Sequence, residues 1–391
     1  RYPAGCFSIN GGASTLTIPR RMRCSYRSFF KQTQARNPSR PTAPHVIIKL
    51  LMDIHQNIPL KNYTTMKLGG NARFMTDART PDDVQKICQN AKTQNLPIFI
   101  LGGGSNIIAH DEGYAGIVVR NRISGFEVLE DTPSSVTIRV GAGENWDETV
   151  KKTVDMNLTG VEAMSNIPGT AGAAPVQNIG AYGQEIADTL IYVEVYDTVS
   201  DTFVRLENKD CGFSYRHSIF RGDQAGRYVI TAICFTLFKS APTPPFYRAI
   251  EEYFETNNIT VFTPQVIRDT VIKIRTNKLP DPTKLPNAGS FFKNAIIEPW
   301  QLTDLLKKYP DMPNYDLPDG NKKIPTGWLI EQTGLKGETI HGMKVHDGNA
   351  LVLINVGATS YTDLAAARDE VIGAVRDTFR IHIEQEPLEL V

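Results

Sequence analysis

Apolar residues in this chain occur in short runs, and the spacing within these runs changes near residue 125. Before that point, residues 81–95 follow a proline with apolar side chains at helical spacing, namely Val84, Ile87, Cys88 and Ala91. This pattern predicts an amphipathic helix. Two brief apolar runs follow, at 98–101 and 116–119, and both predict short buried strands. The first part of the chain is therefore expected to combine helix and strand.

After residue 125 apolar and polar residues alternate, which predicts a sheet rich in antiparallel strands with inserted helices. The predicted strands are 126–128, 136–140, 191–196, 203–206, 228–238 and 350–356. The predicted helical stretches are 145–156, 247–275, 299–308 and 362–379. The proline-rich segment 278–287 predicts a linker. The chain is therefore expected to have an α+β fold built from three units.

Three consecutive glycines end the apolar run at 98–101, and Ser105 and Asn106 follow them. Such a loop can adopt positive φ angles and turn several backbone N–H groups onto one concave face, which suits an anionic group such as a diphosphate. The spacing is not that of a Walker loop, and Ile107 stands where a Rossmann fingerprint needs glycine. The loop is therefore either a phosphate cradle of a third kind or a tight turn.

The composition is typical of a globular protein, with 41% hydrophobic and 21% charged residues among 391. Residues 1–51 carry nine of the 42 basic residues and no acidic one, which leaves 33 basic residues against 42 acidic ones in the remainder. This acidic remainder argues against nucleic acid as a partner, and no apolar run approaches the ~20 residues that span a bilayer. We expect residues 1–51 to be an extension outside the fold, either an organellar targeting segment or untranslated sequence.

The five cysteines form no CxxC pair, and the seven histidines form no HxxxH pair. The sequence therefore predicts no metal site, and its free thiols suit a reducing cytoplasm.

A second segment rich in small residues, 165–186, contains almost no charge. Small side chains allow close packing against a flat aromatic ligand, although they equally suit a tightly packed loop. Two such segments in one chain favour a large cofactor. The glycines of a third segment, 141–148, are explained by a turn from strand to helix.

Two further segments contain candidates for catalysis. Arg216 lies in an aromatic-rich stretch, 210–221, where it is either an ion-pair partner or a planar cation for a developing oxyanion. Ser290 lies between a glycine and two phenylalanines, where a partly dehydrated hydroxyl needs a specific partner. No GxSxG motif surrounds Ser290, so a hydrolase nucleophile is unsupported and a turn or cap remains the alternative. Near the end, Glu384 and Glu386 are predicted to alternate on one strand face.

Taken together, these segments resemble the UDP-N-acetylenolpyruvoylglucosamine reductases, flavoenzymes of peptidoglycan precursor synthesis. The resemblance runs from about residue 62 to residue 386 and is carried by LGGGSN, IPGTAGAAPVQNIGAYG, YRHSIF, NAGSFFKN and GWLIEQTGLKG, in the family's order and spacing. It implies a PCMH-like FAD-binding region of the vanillyl-alcohol-oxidase type in two parts, followed by a smaller α/β substrate-binding domain. The implied divisions are 52–122, 123–278 and 279–391, with the final strand returning to the active site.

The resemblance also implies the reaction. NADPH reduces non-covalently bound FAD, the flavin N5 passes hydride to C3 of UDP-N-acetylglucosamine-enolpyruvate, and UDP-N-acetylmuramate is formed. Arg216 and Glu386 would stabilise the enolic intermediate, and Ser290 would deliver the proton to C2. A monomer in the cytoplasm is expected, and the similarity is to the longer subclass with a substrate-capping tyrosine loop.

The implied binding residues fall into two sets. FAD would contact Gly102, Gly103, Gly104, Ser105, Asn106, Ile167, Pro168, Gly169, Gly172, Ala173, Gly180, Ala181 and Tyr182. The nucleotide-sugar substrate would contact Tyr215, Tyr247, Lys278, Asn294, Tyr315 and Asn349.

Some positions depart from the family pattern. Tyr63 and Met66 interrupt a run near the flavin, and Asn349 stands where some long-subclass members have glutamine. Two other functions stay open. A flavin oxidase of the same fold commonly tethers FAD through His or Cys, which LGGGSN lacks. A catalytically inactive nucleotide-sugar binding protein predicts loss of a member of the Ser290, Arg216 and Glu386 set, and all three are present.

Overall fold

The computed structural model describes residues 53–391, so the predicted extension over 1–51 lies outside the described residues. The strands are His55–Pro59, Asn71–Ala78, Ile98–Leu101, Ile107–Ala109, Tyr114–Asn121, Phe126–Asp131, Ser135–Gly141, Gly180–Ala181, Gln184–Glu185, Leu190–Asp197, Thr202–Glu207, Tyr228–Phe238, Ala295–Ile297, Tyr315–Asp316, Lys322–Ile324, Thr339–Ile340, Met343–Val345, Leu353–Asn355 and Leu388–Leu390. The α-helices are Pro81–Thr93, Trp146–Asp155, Ile186–Thr189, Arg248–Thr256, Pro264–Lys278, Pro299–Lys308, Thr326–Gln332 and Tyr361–Phe379. The 3-10 helices are Leu60–Asn62, Glu162–Met164, Ala171–Gln177 and Asn208–Cys211.

The N-terminal sheet has four strands in the order His55–Pro59, Asn71–Ala78, Tyr114–Asn121 and Ile98–Leu101. The first pair is antiparallel and the other two pairs are parallel. The helix Pro81–Thr93 provides the crossover between parallel strands. The glycine loop therefore leaves the carboxyl end of an edge strand, where the chain must turn away from the sheet.

A five-stranded antiparallel sheet forms the second layer, in the order Thr202–Glu207, Leu190–Asp197, Tyr228–Phe238, Ser135–Gly141 and Phe126–Asp131. The alternating sequence pattern after residue 125 correctly predicted these strands. Inward side chains such as Ile138, Ile233 and Phe235 are buried and pack with Trp146 from the adjacent helix. This core supports the loops that follow Gly141 and precede Gly180.

Local signals explain where two helices begin. Thr80 accepts a hydrogen bond from Asp83 N, and the Asp83 carboxylate accepts one from Thr80 N, which forms a capping box before Pro81. Asn145 caps the next helix by accepting from Glu148 N. The four apolar residues predicted to face the core from Pro81–Thr93 are all buried. The predictions for these helices are confirmed.

The C-terminal part packs two small antiparallel sheets against the helices Pro299–Lys308, Thr326–Gln332 and Tyr361–Phe379. Its core includes Phe291 and Phe292, whose rings lie 5.1 Å apart and which are almost fully buried. The final strand, Leu388–Leu390, pairs in parallel with Ile107–Ala109 directly after the glycine loop. The chain end therefore returns to the N-terminal part of the fold.

Two sequence predictions are wrong in detail. The helical stretch 247–275 is two helices, because Asn258 takes a left-handed φ of 55° after the first and Pro264 begins the second. No regular strand covers Glu384 and Glu386, because only Gln385 forms a bridge there, to Phe292, and Pro387 has no N–H to continue a ladder. The Glu384 side chain is 63% exposed, whereas that of Glu386 is 12% exposed.

Within residues 53–391, no helix combines the length and apolarity needed to cross a membrane. The same residues contain no group of three or more His, Cys, Asp or Glu side chains arranged to hold a metal ion.

The buried aromatic pair gives a test of this core. Phe292→Ala is expected to lower the free energy of unfolding by about 3–5 kcal/mol, because it removes a fully buried ring and leaves a cavity. Trp300→Ala is the matched control: this ring is 62% exposed, and a change within about 0.5 kcal/mol is expected. Urea unfolding followed by circular dichroism measures both, and equal losses in the two variants would contradict the assignment of the core.

Candidate active site

A cavity of about 540 Å³ opens between the two sheets and the chain end. Its walls come from the glycine loop after Leu101, the small-residue segment around 167–180, the segment 216–230, and residues near Ser290 and Glu386. The predicted cofactor residues that line it are Gly102, Gly103, Gly104, Ser105, Asn106, Ile167, Pro168, Gly169, Gly172, Ala173 and Gly180. Ala181 and Tyr182 lie beside the cavity but are not part of its lining. The two segments singled out for their small residues therefore face one space.

The glycine loop is shaped by contacts that exclude side chains. Gly104 has a φ of 67°, and a Cβ there would lie 1.9 Å from the carbonyl oxygen of Tyr63. A Cβ on Gly103 would lie 2.9 Å from the Cα of Gly169, so the two small-residue segments meet at backbone contact. Within residues 53–391, the N–H groups of Gly103, Gly104 and Ser105 donate to no protein acceptor. These free donors in a concave loop suit a diphosphate.

A buried ion pair fixes the second segment. Arg268 donates from Nη1 to Asp147 Oδ1 (2.7 Å) and Ser165 Oγ (2.9 Å), and from Nη2 to Asp147 Oδ2 (3.0 Å). Asp147 also accepts from the backbone N–H of Asn166. Burial alone raises the pKa of Asp147, but the hydrogen bonds from Arg268 and Asn166 outweigh burial and hold that pKa below its usual range. The start of the loop 165–170 is thereby anchored.

Arg216 extends from a left-handed backbone, with a φ of 54°, into the cavity wall. Its Nη2 donates to Gly180 O (3.0 Å), and its Nε lies 3.3 Å from Glu386 Oε1 without hydrogen-bond alignment. A buried guanidinium N–H without a hydrogen-bond acceptor is costly, and so is a non-glycine residue in this conformation. An unpartnered N–H and a strained backbone are both features of binding sites, and an anionic ligand would give the Arg216 Nε its missing acceptor.

Ser290 lines the same cavity from the loop that begins with Asn287. Asn287 Oδ1 accepts from Gly289 N (2.8 Å), and Gly289 has a φ of 71°, so the chain turns sharply before the serine. Among the described residues, no side chain or backbone group forms a hydrogen bond with the Ser290 hydroxyl, and Ser290 lines the cavity. It is therefore available to a ligand.

The backbone of Glu386 is fixed to the loop that carries Ser290, because Glu386 N donates to the carbonyl oxygen of Phe291 (2.8 Å). Burial raises the pKa of the Glu386 carboxyl, although Arg216, Arg221 and Lys293 oppose that rise. Arg216, Ser290 and Glu386, distant in sequence, thus line one wall of one cavity.

Sequence reasoning did not single out three other polar residues of the lining: Gln177, Arg221 and Arg275. Arg221 donates to Gln177 Oε1 (2.8 Å) and to the carbonyl oxygen of Glu386 (2.7 Å). Arg275 donates from Nε to Asn166 O (3.2 Å), and burial lowers its pKa. A second arginine five residues after Arg216 was the available signal for Arg221. For Arg275, in the last turn of an ordinary amphipathic helix, the sequence offered none.

The predicted substrate tyrosines form an aromatic group beside the cavity. The rings of Tyr182 and Tyr247 meet edge to face at 5.6 Å. Lys323 Nζ lies 5.5 Å from the centroid of the Tyr215 ring and 5.9 Å from that of Tyr315. Burial raises the pKa of Tyr215, and nearby Asn294 opposes that rise. Tyr247 and Tyr315 are about half exposed, so this group is open to a ligand.

Two residues that were predicted to bind the substrate, Lys278 and Asn349, have no contact with this aromatic group among those described above. Lys278 ends the helix Pro264–Lys278 and is exposed. The Asn349 side chain accepts from Leu351 N (3.1 Å), so it caps its own turn.

The residues present fit a flavin dinucleotide. The free N–H groups of the glycine loop match a diphosphate, and apolar walls such as Ile98, Ile167 and Val229 suit flat rings. No His or Cys interrupts the loop itself. The cavity is therefore typical of a protein that binds FAD.

Comparison with protein families supports this class. The model described as FAD binding domain matches residues 73–206. The model described as UDP-N-acetylenolpyruvoylglucosamine reductase, C-terminal domain, matches residues 281–390.

Individual relatives agree with the family models. The UDP-N-acetylenolpyruvoylglucosamine reductase of Photobacterium profundum is 40% identical over 335 residues, which cover 86% of this chain and 95% of the relative. That of Neisseria meningitidis serogroup B is 38% identical over 338 residues, covering 86% and 97%. The crystal structure of the Thermus caldophilus reductase has the same fold, with a TM-score of 0.61 at 22% identity over 87% of this chain and all of that one.

The fold and the cavity define a flavin-dependent oxidoreductase. The chain belongs to the UDP-N-acetylenolpyruvoylglucosamine reductase family. The predicted family, the α+β fold with its FAD-binding region and the cofactor FAD are confirmed.

The ion pair of Asp147 with Arg268 gives a pH-dependent test. Asp147→Asn is expected to lower the free energy of unfolding by about 1.5–3 kcal/mol at pH 7, because it removes charge-assisted hydrogen bonds. A carboxyl whose pKa is depressed in the folded state stabilises above its unfolded pKa of about 3.9, and this contribution is lost as the pH falls through the lower folded value. The difference in the free energy of unfolding between wild type and variant should therefore have its maximum value at pH 7 and pH 5, and it should decrease below about pH 4.

Urea unfolding at pH 7, 5 and 3.5 measures this difference. Asp155→Asn, which breaks an exposed ion pair with Lys151 in the same helix, is the control and should change little at any of these values. A difference between wild type and Asp147→Asn that is independent of pH would contradict the account.

Proposed function

We propose that this protein reduces the enolpyruvyl group of UDP-N-acetylglucosamine-enolpyruvate to give UDP-N-acetylmuramate, with NADPH as reductant, in peptidoglycan precursor synthesis. The observation that carries the proposal is the common cavity wall of Arg216, Ser290 and Glu386 beside the glycine loop, in a chain of this family. We also propose that the protein is a monomer and acts in the cytoplasm. The proposed domain divisions are at 122/123 and 278/279.

The residues proposed to hold the cofactor are the glycine loop 102–106 and the segment 167–182. FAD bound by these residues would supply a hydride, taken from NADPH, for addition to C3 of the enolpyruvyl ether. The free N–H groups of Gly103, Gly104 and Ser105 support a diphosphate at the loop. The small side chains of the second segment support close packing of a flat ring.

Hydride addition at C3 leaves an electron pair at C2, which is delocalised into the neighbouring carboxylate as an enolate. We assign its stabilisation to Arg216 and Glu386. The buried Arg216 Nε has no aligned acceptor, which suits an oxyanion that develops only during the reaction. The raised pKa of Glu386 favours a protonated carboxyl that can donate a hydrogen bond to that oxyanion.

Ser290 is proposed to give its hydroxyl proton to C2, which completes the addition of hydride and proton across the double bond. Serine is a weak acid in water, so the carbanion must be strongly basic and the hydroxyl must be aligned. The sharp turn at Gly289 and the free hydroxyl support such an alignment.

The diphosphate and sugar of the substrate are assigned to the aromatic group beside the cavity. Tyr215, Tyr247, Tyr315 and Asn294 supply rings and hydrogen-bonding groups, and Lys323 lies between two of those rings. Lys278 and Asn349 are proposed to reach the substrate by changing side-chain rotamers. Lysine suits a diphosphate as a point charge.

The proton-donor role of Ser290 is tested by separating the two half-reactions. Ser290→Ala is expected to leave flavin reduction by NADPH unchanged and to slow reoxidation by substrate by about 10²–10⁴-fold, the usual effect of removing a general acid. Anaerobic stopped-flow absorbance measures both steps. Ser200→Ala, a change at an exposed serine, is the control. An equal slowing of both half-reactions would contradict the role.

Arg216→Lys tests the planar cation. Arginine donates to Gly180 O from one nitrogen and holds a second N–H in a fixed direction toward the cavity. Lysine keeps the positive charge but has only one nitrogen, so it cannot do both. Reoxidation by substrate is expected to slow by about 10²–10³-fold. Unchanged turnover in a folded, flavin-loaded Arg216→Lys protein would show that Arg216 is a structural ion-pair partner of Glu386.

A further inference from the structure

Glu386 has two neighbours, Gln177 and Arg221, to which the proposed mechanism gives no part in the chemistry of this carboxyl. Gln177 Nε2 donates to Glu386 Oε1 (3.1 Å). Gln177 Oε1 accepts from Arg221 Nη1 (2.8 Å) and from Asn106 Nδ2 (2.6 Å). Arg221 Nη2 also donates to the backbone oxygen of Glu386 (2.7 Å). One guanidinium therefore bonds both to the amide that contacts the carboxyl and to the backbone that carries it.

The charge of Arg221 determines how the Gln177 amide is oriented. A guanidinium only donates hydrogen bonds, so the atom of Gln177 that faces it must be the carbonyl oxygen. The NH₂ group of Gln177 must then face Glu386. This orientation follows from the chemistry of arginine and does not depend on the choice between two amide flips.

An oriented amide restricts where Glu386 can carry a proton. Oε1 faces the NH₂ group of Gln177 and lies 3.3 Å from Arg216 Nε. A proton on Oε1 would point at these donors, so the oxygen left to carry a proton is Oε2.

We propose that Arg221 and Gln177 are positioning residues of the reduction step, which keep Glu386 Oε1 as an acceptor and confine the carboxyl proton to Oε2. This inference rests on the proposed function, because it gives Glu386 a defined donor oxygen for the enolic intermediate. It adds a role for a second arginine, Arg221, whose side chain bonds to Gln177 and to the backbone of Glu386.

The same neighbours control the titration of Glu386. Three cations face the carboxyl, Arg216 and Arg221 from one segment and Lys293 from the loop after Ser290, and the Tyr215 ring lies beside Arg216. Removal of one cation, or of the Gln177 donor, disfavours the ionised form. The pKa of Glu386 must then rise.

The test uses the flavin-loaded full chain with Arg221→Met and Gln177→Glu. Gln177→Glu is nearly isosteric, keeps an acceptor for Arg221 and sets a second carboxylate against Glu386. It covers the case in which Arg221→Met fails to fold. Both changes are expected to raise the apparent pKa of Glu386 by about one pH unit, the effect of one charge-assisted hydrogen bond. Arg221→Lys keeps the charge and should lie closer to wild type.

Two measurements separate this inference from the proposed function. Infrared difference spectra against Glu386→Gln follow the protonated carboxyl through a pH titration and need no substrate. Single-turnover reoxidation by UDP-N-acetylglucosamine-enolpyruvate is recorded over the same pH range. The part of its pH–rate profile that reports Glu386 should move with the infrared pKa. The limiting rate constant should fall by a larger factor than the apparent dissociation constant of the substrate rises. Failure of wild type to reoxidise would contradict the proposed function alone.

Arg139→Met is the control, since Arg139 is a partly buried arginine paired with Glu194 on the antiparallel sheet. Any loss it causes is one of stability, without a pH shift. If the infrared pKa of Glu386 is the same in wild type, Arg221→Met and Gln177→Glu, the positioning role is overturned. Equal loss of turnover in Arg221→Lys and Arg221→Met, with no shift of the pH limb, would also overturn it.

Discussion

The site depends on a carboxyl group that is almost withdrawn from water. The Glu386 side chain is 12% exposed, and a carboxyl in that position requires hydrogen-bond donors or cations around it. Those partners come from separate parts of the chain: Gln177 from the small-residue segment, Arg216 and Arg221 from the aromatic-rich stretch. The hydrogen bonds and cations that the buried Glu386 carboxyl requires therefore hold these separate segments together around the cavity. Burial opposes ionisation of Glu386, and the surrounding cations favour it. Carboxyl groups whose pKa values are perturbed in this way are common at catalytic sites.

The chain end that carries Glu386 is itself fixed on both sides. Leu388–Leu390 pairs with Ile107–Ala109, and Leu388 N donates to Asn106 O at the end of the glycine loop. Glu389 lies 3.1 Å from His110 Nε2 and accepts from Tyr361 and Arg368, and these hydrogen bonds outweigh burial and hold its pKa below the usual range. The glycine loop and the segment that carries the Glu386 carboxyl are thus parts of one connected structure. A displacement of the tail would move both.

The sequence predicted much of this protein because its local signals agree with its fold. Helix caps, alternating strands and small-residue segments each follow from neighbouring residues, and the order of several such motifs indicated the family. Other features depend on contacts distant in sequence. The break at Asn258 required the left-handed backbone of one residue, and the burial of Glu386 required partners up to 209 positions away. Arg275 sits at the end of an ordinary amphipathic helix, so only its position on the cavity wall distinguishes it.

The most direct test of the account is an anaerobic absorbance series on the purified flavoprotein. NADPH is added until the absorbance of the oxidised flavin is lost, and UDP-N-acetylglucosamine-enolpyruvate is then added in equimolar amount. The account predicts a prompt return of the oxidised spectrum with formation of UDP-N-acetylmuramate, since both half-reactions use the same cavity. Loss of the oxidised spectrum with no recovery on addition of this substrate, in protein that is folded and loaded with FAD, would contradict it.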